Sequence, residues 1–244
     1  MGWRWALAGL AVVALGTAPA AAQPREPVDL ELAFLVDASG SIDEEETRLQ
    51  RQGYVDALAN AKVLDAISGG FHRSIAVAYI EFAGLGCARV SVPWSRISDA
   101  ASARAFGERI LGLGRMRLFC PGGNAIGEAM ALAADSIATN GFEGLRRAID
   151  LSGDGPNTVG PPVEAVRDAA VASGITVNGL VIDRPSFPNL EEYFRRAMTG
   201  GPRSFVIKAE NRAVFGEAIL KKLILEISGR APEGGFAEGS TERR

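Results

Sequence analysis

Asp37, Ser39 and Ser41 follow an apolar run in the spacing Asp-x-Ser-x-Ser, and each of these side chains ends in oxygen. Such an apolar run is typical of a buried parallel strand, and ligands of open α/β sheets bind just beyond the carboxyl ends of such strands. Oxygen-only donor sets suit hard cations such as Mg²⁺, Mn²⁺ or Ca²⁺. A second interpretation makes Ser39 or Ser41 the cap of the following helix and leaves Asp37 as a turn residue.

Two later loops bring further oxygen donors to the same predicted edge of the sheet. Asp154 follows the predicted strand 145–151, and Gly155 and Pro156 then turn the chain. Asn124 directly precedes a predicted helix, where an amide side chain is a natural cap and also offers a carbonyl oxygen. Turn preferences alone also place Asn and Asp in loops. The sequence therefore predicts that three loops bring the oxygen donors of Asp37, Ser39, Ser41, Asn124 and Asp154 to one edge of the sheet.

Strands alternate with helices along the chain. This order predicts an α/β fold with a doubly wound, mostly parallel central sheet, helices on both faces and one short antiparallel edge strand. The predicted strands are 30–36, 74–82, 89–94 (the antiparallel edge), 145–151, 175–182 and 204–208. The predicted helices are 44–58, 99–111, 125–138, 163–172, 190–198 and 212–227.

The amino-terminal stretch 1–22 is typical of a secretory signal peptide. It combines Arg4, an apolar core at 6–15 and the small-residue cleavage pattern Ala20-Ala21-Ala22. The core is short for a spanning helix, and an uncleaved membrane anchor is the alternative. We therefore expect a protein exported to the periplasm or secreted. The remaining regions are a short linker at 23–28, one domain at 29–229 and a flexible tail at 230–244.

The charge and the apolar runs of the chain narrow the classes of partner. The formal net charge is −3 and no basic block is present, which argues against binding to nucleic acid. No later apolar run is long enough to span a membrane, so we expect no stable membrane insertion after signal removal.

Cys87 and Cys120 are the only cysteines, and export predicts a disulfide between them, with two buried free thiols as the alternative.

The Asp37–Ser41 motif, the Gly122-Gly123-Asn124 loop and the Asp154-Gly155 turn together resemble a von Willebrand factor A domain, in the order and spacing of that family's metal-ion-dependent adhesion site. The resemblance covers roughly residues 29–228. It implies the Rossmann-like fold of these domains and a function in binding. It also implies that a Glu or Asp carboxylate from a protein partner completes the coordination of the cation.

The resemblance assigns a role to each oxygen donor. Ser39 and Ser41 would bind the ion through their hydroxyls, and Asp37 and Asp154 directly or through water. The family usually has Thr where this chain has Asn124, so direct contact of the second loop with the ion is left open.

Two further stretches give a narrower resemblance. Residues 149–157 and the Pro93-Trp94 pair resemble a family of exported bacterial A-domain-like proteins of unknown function.

Two other functions compete with metal-dependent binding. In a magnesium-dependent phosphoryl-transfer enzyme Asp37 would be the nucleophile, but such enzymes generally need a second Asp where this chain has Ser39, and no Lys is close to the proposed loops. In a structural scaffold the metal would only stabilise the fold. His72, the single histidine, is expected in a surface loop, and Gly-x-Ser-x-Gly is missing, so a Ser-His-Asp hydrolase has little support. We therefore favour binding over catalysis and predict no enzymatic activity. Asp183-Arg184-Pro185 would form the rim of the site.

Overall fold

The computed structural model describes residues 24–40, 42–114, 120, 122–210 and 214–230. The predicted signal peptide, Ser41 and the tail beyond residue 230 lie outside these residues, so those predictions remain untested. Strand β1 begins at Glu26, inside the stretch expected to be a linker. None of the described helices is long and apolar enough to cross a membrane.

The described residues form one six-stranded sheet with helices packed against it. The strands are β1 Glu26–Asp37, β2 Ile75–Phe82, β3 Arg89–Ile97, β4 Phe142–Gly153, β5 Ile175–Ile182 and β6 Val206–Ala209. The helices are α1 Glu44–Leu58, α2 Ala61–Ser68, α3 Ala100–Leu111, α4 Ile126–Thr139, α5 Val163–Ala172, α6 Leu190–Tyr193 and α7 Phe215–Ser228. A π-helical turn at Phe194–Met198 continues α6.

The strand order β3-β2-β1-β4-β5-β6 confirms the predicted doubly wound fold. All neighbouring strands are parallel except β2 and β3, so β3 is the antiparallel edge. The chain runs outward from β1 to one edge and then returns to β4 on the other side of β1. The order reverses between β1 and β4, and open α/β sheets bind ligands at the carboxyl ends of strands beside such a reversal.

Side-chain alternation along β1 builds two apolar layers. Leu30, Leu32 and Phe34 face a core formed with α1, α2, α3 and α7, whereas Ala33 and Leu35 face a second core formed with α4, α5 and the π-helical turn. Because successive strand residues point to opposite faces, a central strand covered on both sides needs a continuous apolar sequence. The strand thus holds its last residue, Asp37, between two packed layers.

Helix α2 was not predicted from the sequence. It follows α1 after a short break, and the Asn60 side chain accepts a hydrogen bond from the Lys62 amide at 3.0 Å. Val63 and Ile67, one turn apart, are its buried residues. An eight-residue helix has too few apolar positions to give a clear period, so tertiary packing determines it.

A buried ionic cluster fastens α7 to the sheet. The Lys222 ammonium lies 2.6 Å from both Asp150 on β4 and Glu226 one turn further along the helix. All three residues are at most 3% exposed. The side-chain amide of Asn178 on β5 donates to the Glu226 carboxylate at 2.9 Å and extends the cluster across the sheet. Burial, followed by the charge of Glu226, raises the pKa of Asp150 well above its usual range, against the opposing effect of Lys222.

Candidate metal site

Asp37 ends β1 at the point where the strand order reverses. It is fully buried, and one of its carboxylate oxygens accepts a hydrogen bond from the Ser39 amide at 2.8 Å. Within the described ranges no hydrogen-bond donor reaches the other oxygen, Oδ2. That oxygen lies against Gly153, where an added Cβ would be 3.4 Å away. A buried carboxylate oxygen without a donor costs free energy, and a bound cation would satisfy it.

The helix after β1 begins without help from Ser39. Asp43 is the N-cap of α1: its carboxylate accepts from the Glu46 amide at 2.8 Å, and its own amide donates to the Glu46 carboxylate at 2.9 Å. This capping box makes the interpretation of Ser39 as the helix cap wrong. Ser39 itself is buried, 5% exposed, beside Asp37.

Asn124 lies at the cleft but does not cap the helix that follows it. Helix α4 begins at Ile126, and its first turn has no local side-chain cap; the Gly127 amide instead donates to the side chain of Asn157 at 3.1 Å. The backbone amide of Asn124 donates to the Thr158 hydroxyl at 2.8 Å. The expectation of an Asn124 cap is therefore wrong, because the third loop supplies these hydrogen bonds and ties the second loop to itself.

Close packing holds the Asn124 side chain against the third loop. A Cβ at Gly155 would come within 2.7 Å of the Asn124 amide nitrogen, so only glycine permits this approach without a shift. Gly123 has φ +104°, a left-handed conformation that favours glycine, and it faces Thr158 and Val159. Gly123 and Gly155 are thus used for backbone geometry and close packing.

A disulfide joins Cys87 to Cys120, as predicted, with the two Cα atoms 5.9 Å apart. Cys87 follows β2, and Cys120 lies shortly before Asn124. The Ala125 amide also donates to the Ala83 carbonyl oxygen at 2.9 Å. Two links therefore attach the second loop to the carboxyl end of β2.

Asp154 directly follows β4 and lies in a buried ion pair. It is 2% exposed, and its Oδ2 atom is 2.6 Å from an Nη atom of Arg184, whose side chain is 23% exposed. Arg184 comes two residues after β5, so a third strand end contributes to the same edge. The sequence predicts Arg184 only as a rim residue, although it lies at the carboxyl end of a strand, as Asp37 and Asp154 do.

The loops enclose an open cleft of about 330 Å³. Its lining includes Ser39, Asn124, Asp154, Thr158, Arg184 and Phe187. Three of the predicted site residues therefore line one cleft, and Asp37 lies buried next to Ser39. Thr158 and Phe187 were not identified from the sequence, because neither belongs to a recognisable pattern.

The electrostatics of the site are those of two carboxylates held close together. Burial, followed by the charge of Asp154, raises the pKa of Asp37 to about 7, against the lowering effects of Ser39 and Arg184. A divalent cation at this place would favour the ionised form of both acids. The described residues include no group of three or more His, Cys, Asp or Glu side chains able to hold a metal. Neutral hydroxyl and amide oxygens would complete the donor set, which fits a hard cation.

Three other side chains with polar groups make structural contacts or lie elsewhere in the fold. Glu81 forms a buried ion pair with Arg51 at 2.5 Å. The Trp94 indole donates to the Ser136 hydroxyl at 2.6 Å. His72 precedes the amino end of β2, the edge of the sheet opposite the cleft. None of these three residues lines the cleft.

A family model described as "Protein of unknown function (DUF1194)" matches residues 27–231. The chain belongs to this family. The DUF1194 match begins within β1 and continues past α7, so it includes every loop of the cleft. No curated protein matches the chain.

Solved structures confirm the von Willebrand factor A fold of this DUF1194 protein. The vWF domain of the type V pili tip protein Mfa5 from Porphyromonas gingivalis has a TM-score of 0.57 and 11% identity over 86% of this chain and 98% of that one. The pilus adhesin SpaC from Lactobacillus rhamnosus GG gives 0.61 and 14%, over 84% and 31%. Proximal thread matrix protein 1 from the mussel byssus, with a zinc-occupied MIDAS motif, gives 0.57 and 16%, over 84% and 49%.

The DUF1194 chain spans about a third of SpaC and about half of the byssus protein. At these identities the similarity shows the fold alone.

Proposed function

We propose that this protein is an exported binding module that uses a divalent cation to capture a protein ligand. Asp37, Ser39, Ser41, Asn124 and Asp154 would hold the ion, and a Glu or Asp carboxylate of the partner would complete its coordination. The observation that carries the proposal is the meeting of Asp37 and Asp154 at the reversal of strand order, with Ser39 and Asn124 beside them around an open cleft.

The chemistry of the donor set supports an incoming acid. Two carboxylates and neutral oxygens leave a divalent cation accessible and short of anionic ligands, and Mg²⁺ in particular is seldom enclosed by protein alone. A bound ion would supply a positive centre at the cleft to which a partner's carboxylate binds. The zinc-occupied MIDAS motif of the byssus protein supports a metal on this fold, and the pilus proteins SpaC and Mfa5 support adhesion.

Catalysis of phosphoryl transfer has less support from the cleft. The described residues that line it include no lysine, and the cationic side chain among them, Arg184, is already paired with Asp154. The residue two positions after Asp37 is Ser39, so a second acid is missing where an aspartate-nucleophile enzyme needs one.

The metal assignment is tested by thermal unfolding of the purified chain with chelator and with Mg²⁺, Mn²⁺, Ca²⁺ or Zn²⁺. A cation at about a hundredfold excess over its Kd would stabilise the native state by about 2.7 kcal/mol, which raises the Tm by several degrees. Asp37→Ala should remove this metal-induced shift. Asp56→Ala, which changes an exposed carboxylate on α1, should retain it.

The binding assignment is tested by capture of exported proteins on the immobilised chain. Capture should require the cation, and both chelator and Asp37→Ala should abolish it. A metal-induced shift that survives in Asp37→Ala would refute the site. Capture that is indifferent to chelator would instead favour a scaffold whose metal serves only the fold.

A further inference from the structure

We propose that Arg184 is a tethered competitor of the metal, which neutralises Asp154 in the metal-free protein and must leave it before Asp154 can help bind a cation. This inference rests on the proposed function. It adds a regulatory element to the site: the chain carries its own positive charge at the place where the divalent ion is needed.

The contact itself is unlike a surface ion pair. Arg184 and Asp154 are 2.6 Å apart, the acid is 2% exposed, and both side chains line the cleft. Arg195 and Glu191 are also 2.6 Å apart, but their side chains are 49% and 37% exposed, and neither lines the cleft. Solvent screens the second pair and leaves the first strongly coupled.

Charge balance explains why the two cations exclude each other. Asp37 and Asp154 are both buried, and together they would carry two negative charges in a poorly solvated site. Arg184 offsets one of these charges without any metal. A divalent ion would offset both, so a guanidinium left in contact with Asp154 would be repelled by it. A guanidinium cannot lose its proton in proteins, so Arg184 has to move its charge away from the ion.

Geometry gives the released side chain somewhere to go. Arg184 belongs to a loop that follows β5, and its side chain is 23% exposed at the cleft mouth, near the exposed Phe187. A partner carboxylate that completes the coordination of the ion enters this same cleft. Arg184 can then pair with that carboxylate, so metal binding and acid binding become thermodynamically coupled through one side chain.

Two consequences can be measured with the metal alone. Wild-type protein should bind Mn²⁺ or Mg²⁺ weakly, because part of the binding free energy is used to displace Arg184. Its fold should not require metal, because Arg184 already neutralises Asp154. Both properties follow from the same ion pair, so one substitution should change both.

The experiment measures Mn²⁺ affinity by isothermal titration calorimetry, and the Tm in chelator, for the full chain and its variants. Arg184→Gln should tighten Mn²⁺ binding by at least about tenfold, since a unit charge next to a ligand is removed, and it should lower the Tm in chelator. Arg184→Lys, which keeps the charge but loses the planar guanidinium, should bind with intermediate affinity. Arg195→Gln is the matched control and should match wild type in both measurements.

Each outcome decides between the alternatives. If wild type binds Mn²⁺, Asp37→Ala does not, and Arg184→Gln binds within twofold of wild type, the competition is wrong while the proposed function stands. If Arg184→Gln binds more weakly than wild type, Arg184 positions Asp154 for the ion, and the competition is again wrong. If no divalent cation binds to wild type or to Arg184→Gln, the proposed function fails and the inference fails with it.

A second variant covers the case in which Arg184→Gln does not fold. Arg184→Lys then carries the test: tighter Mn²⁺ binding than wild type supports competition, and equal or weaker binding overturns it.

Discussion

Replacing Lys222 with Met tests how α7 is held against the sheet. The Lys222 ammonium is 0% exposed and lies 2.6 Å from Asp150 and from Glu226. Methionine has a similar length and fills the apolar part of the site. The substitution therefore removes the positive charge and leaves two buried acids without their cation.

The expected loss can be estimated from this arrangement. Breaking a buried ion pair by removing one partner costs about 3–5 kcal/mol, because the remaining charge stays desolvated. The raised pKa of Asp150 allows this acid to take up a proton, which leaves Glu226 as the principal uncompensated charge. We therefore expect a loss near the lower limit, about 3 kcal/mol of unfolding free energy. That is a large part of the roughly 5–15 kcal/mol by which domains are usually stable.

Urea unfolding followed by circular dichroism measures the effect, with the disulfide kept intact. With an m-value of about 2–3 kcal/mol/M, the midpoint should fall by about 1–1.5 M. Lys221→Met changes the exposed neighbour on the same helix and should alter stability by less than about 0.5 kcal/mol. Lys222→Met combined with Glu226→Gln removes both charges, and the new amide oxygen can still accept from Asn178, so at least half of the loss should be regained.

Two results would contradict this reasoning. Lys222→Met within about 1 kcal/mol of wild type would mean that the ionic cluster contributes little to the attachment of α7. A double variant no more stable than Lys222→Met would mean that the loss comes from altered packing.

Two further predictions concern the cross-link and the pH dependence of stability. Replacing both Cys87 and Cys120 with Ser opens a loop with a sequence separation of 33 and should lower the unfolding free energy, measured in urea, by about 4 kcal/mol. Metal binding should also weaken, because the second loop loses an anchor. Unchanged stability would show that the contact between Ala125 and Ala83 is sufficient to hold this loop. The raised pKa of Asp150 means that the native state keeps a proton that the unfolded chain loses above about pH 4, so stability should fall as pH rises from about 5 to about 8. Asp150→Asn should flatten this fall without abolishing it, because Asp37 has a raised pKa and acts in the same direction; an unchanged pH profile in Asp150→Asn would contradict the assignment.

The fold was largely predictable because its signals are local and repeated. The limits of α1, α5 and β5 agree with the prediction, and β2 differs by one residue at its start. Apolar strands alternating with amphipathic helices leave few arrangements other than a doubly wound sheet. The sequence was less informative where packing decides, as in the unpredicted α2 and in β1, whose ends extend beyond its apolar core.

The candidate site shows the same division. Asp37 and Asp154 were identified because each lies at or just beyond the carboxyl end of a predicted strand, a pattern visible within a few residues. The cap of α1 is Asp43 and not Ser39, and the first turn of α4 is satisfied by Asn157 from a distant loop. A hydrogen bond between loops 30 residues apart has no local signature, so sequence reasoning assigned that role to Asn124.

The amino-acid sequence by itself determined the strands, the oxygen donors at their ends and the family likeness, because hydrophobic periodicity and motif spacing are properties of neighbouring residues. Only the tertiary structure decided which charges meet. Arg184 lies 30 residues from Asp154 along the chain, yet parallel strands bring the two loops to one edge of the sheet. There Arg184, from the Asp-Arg-Pro sequence, pairs with the buried Asp154 carboxylate. Electrostatic coupling depends on the distance between the charges and on the exclusion of solvent, and both are set only when the sheet has formed.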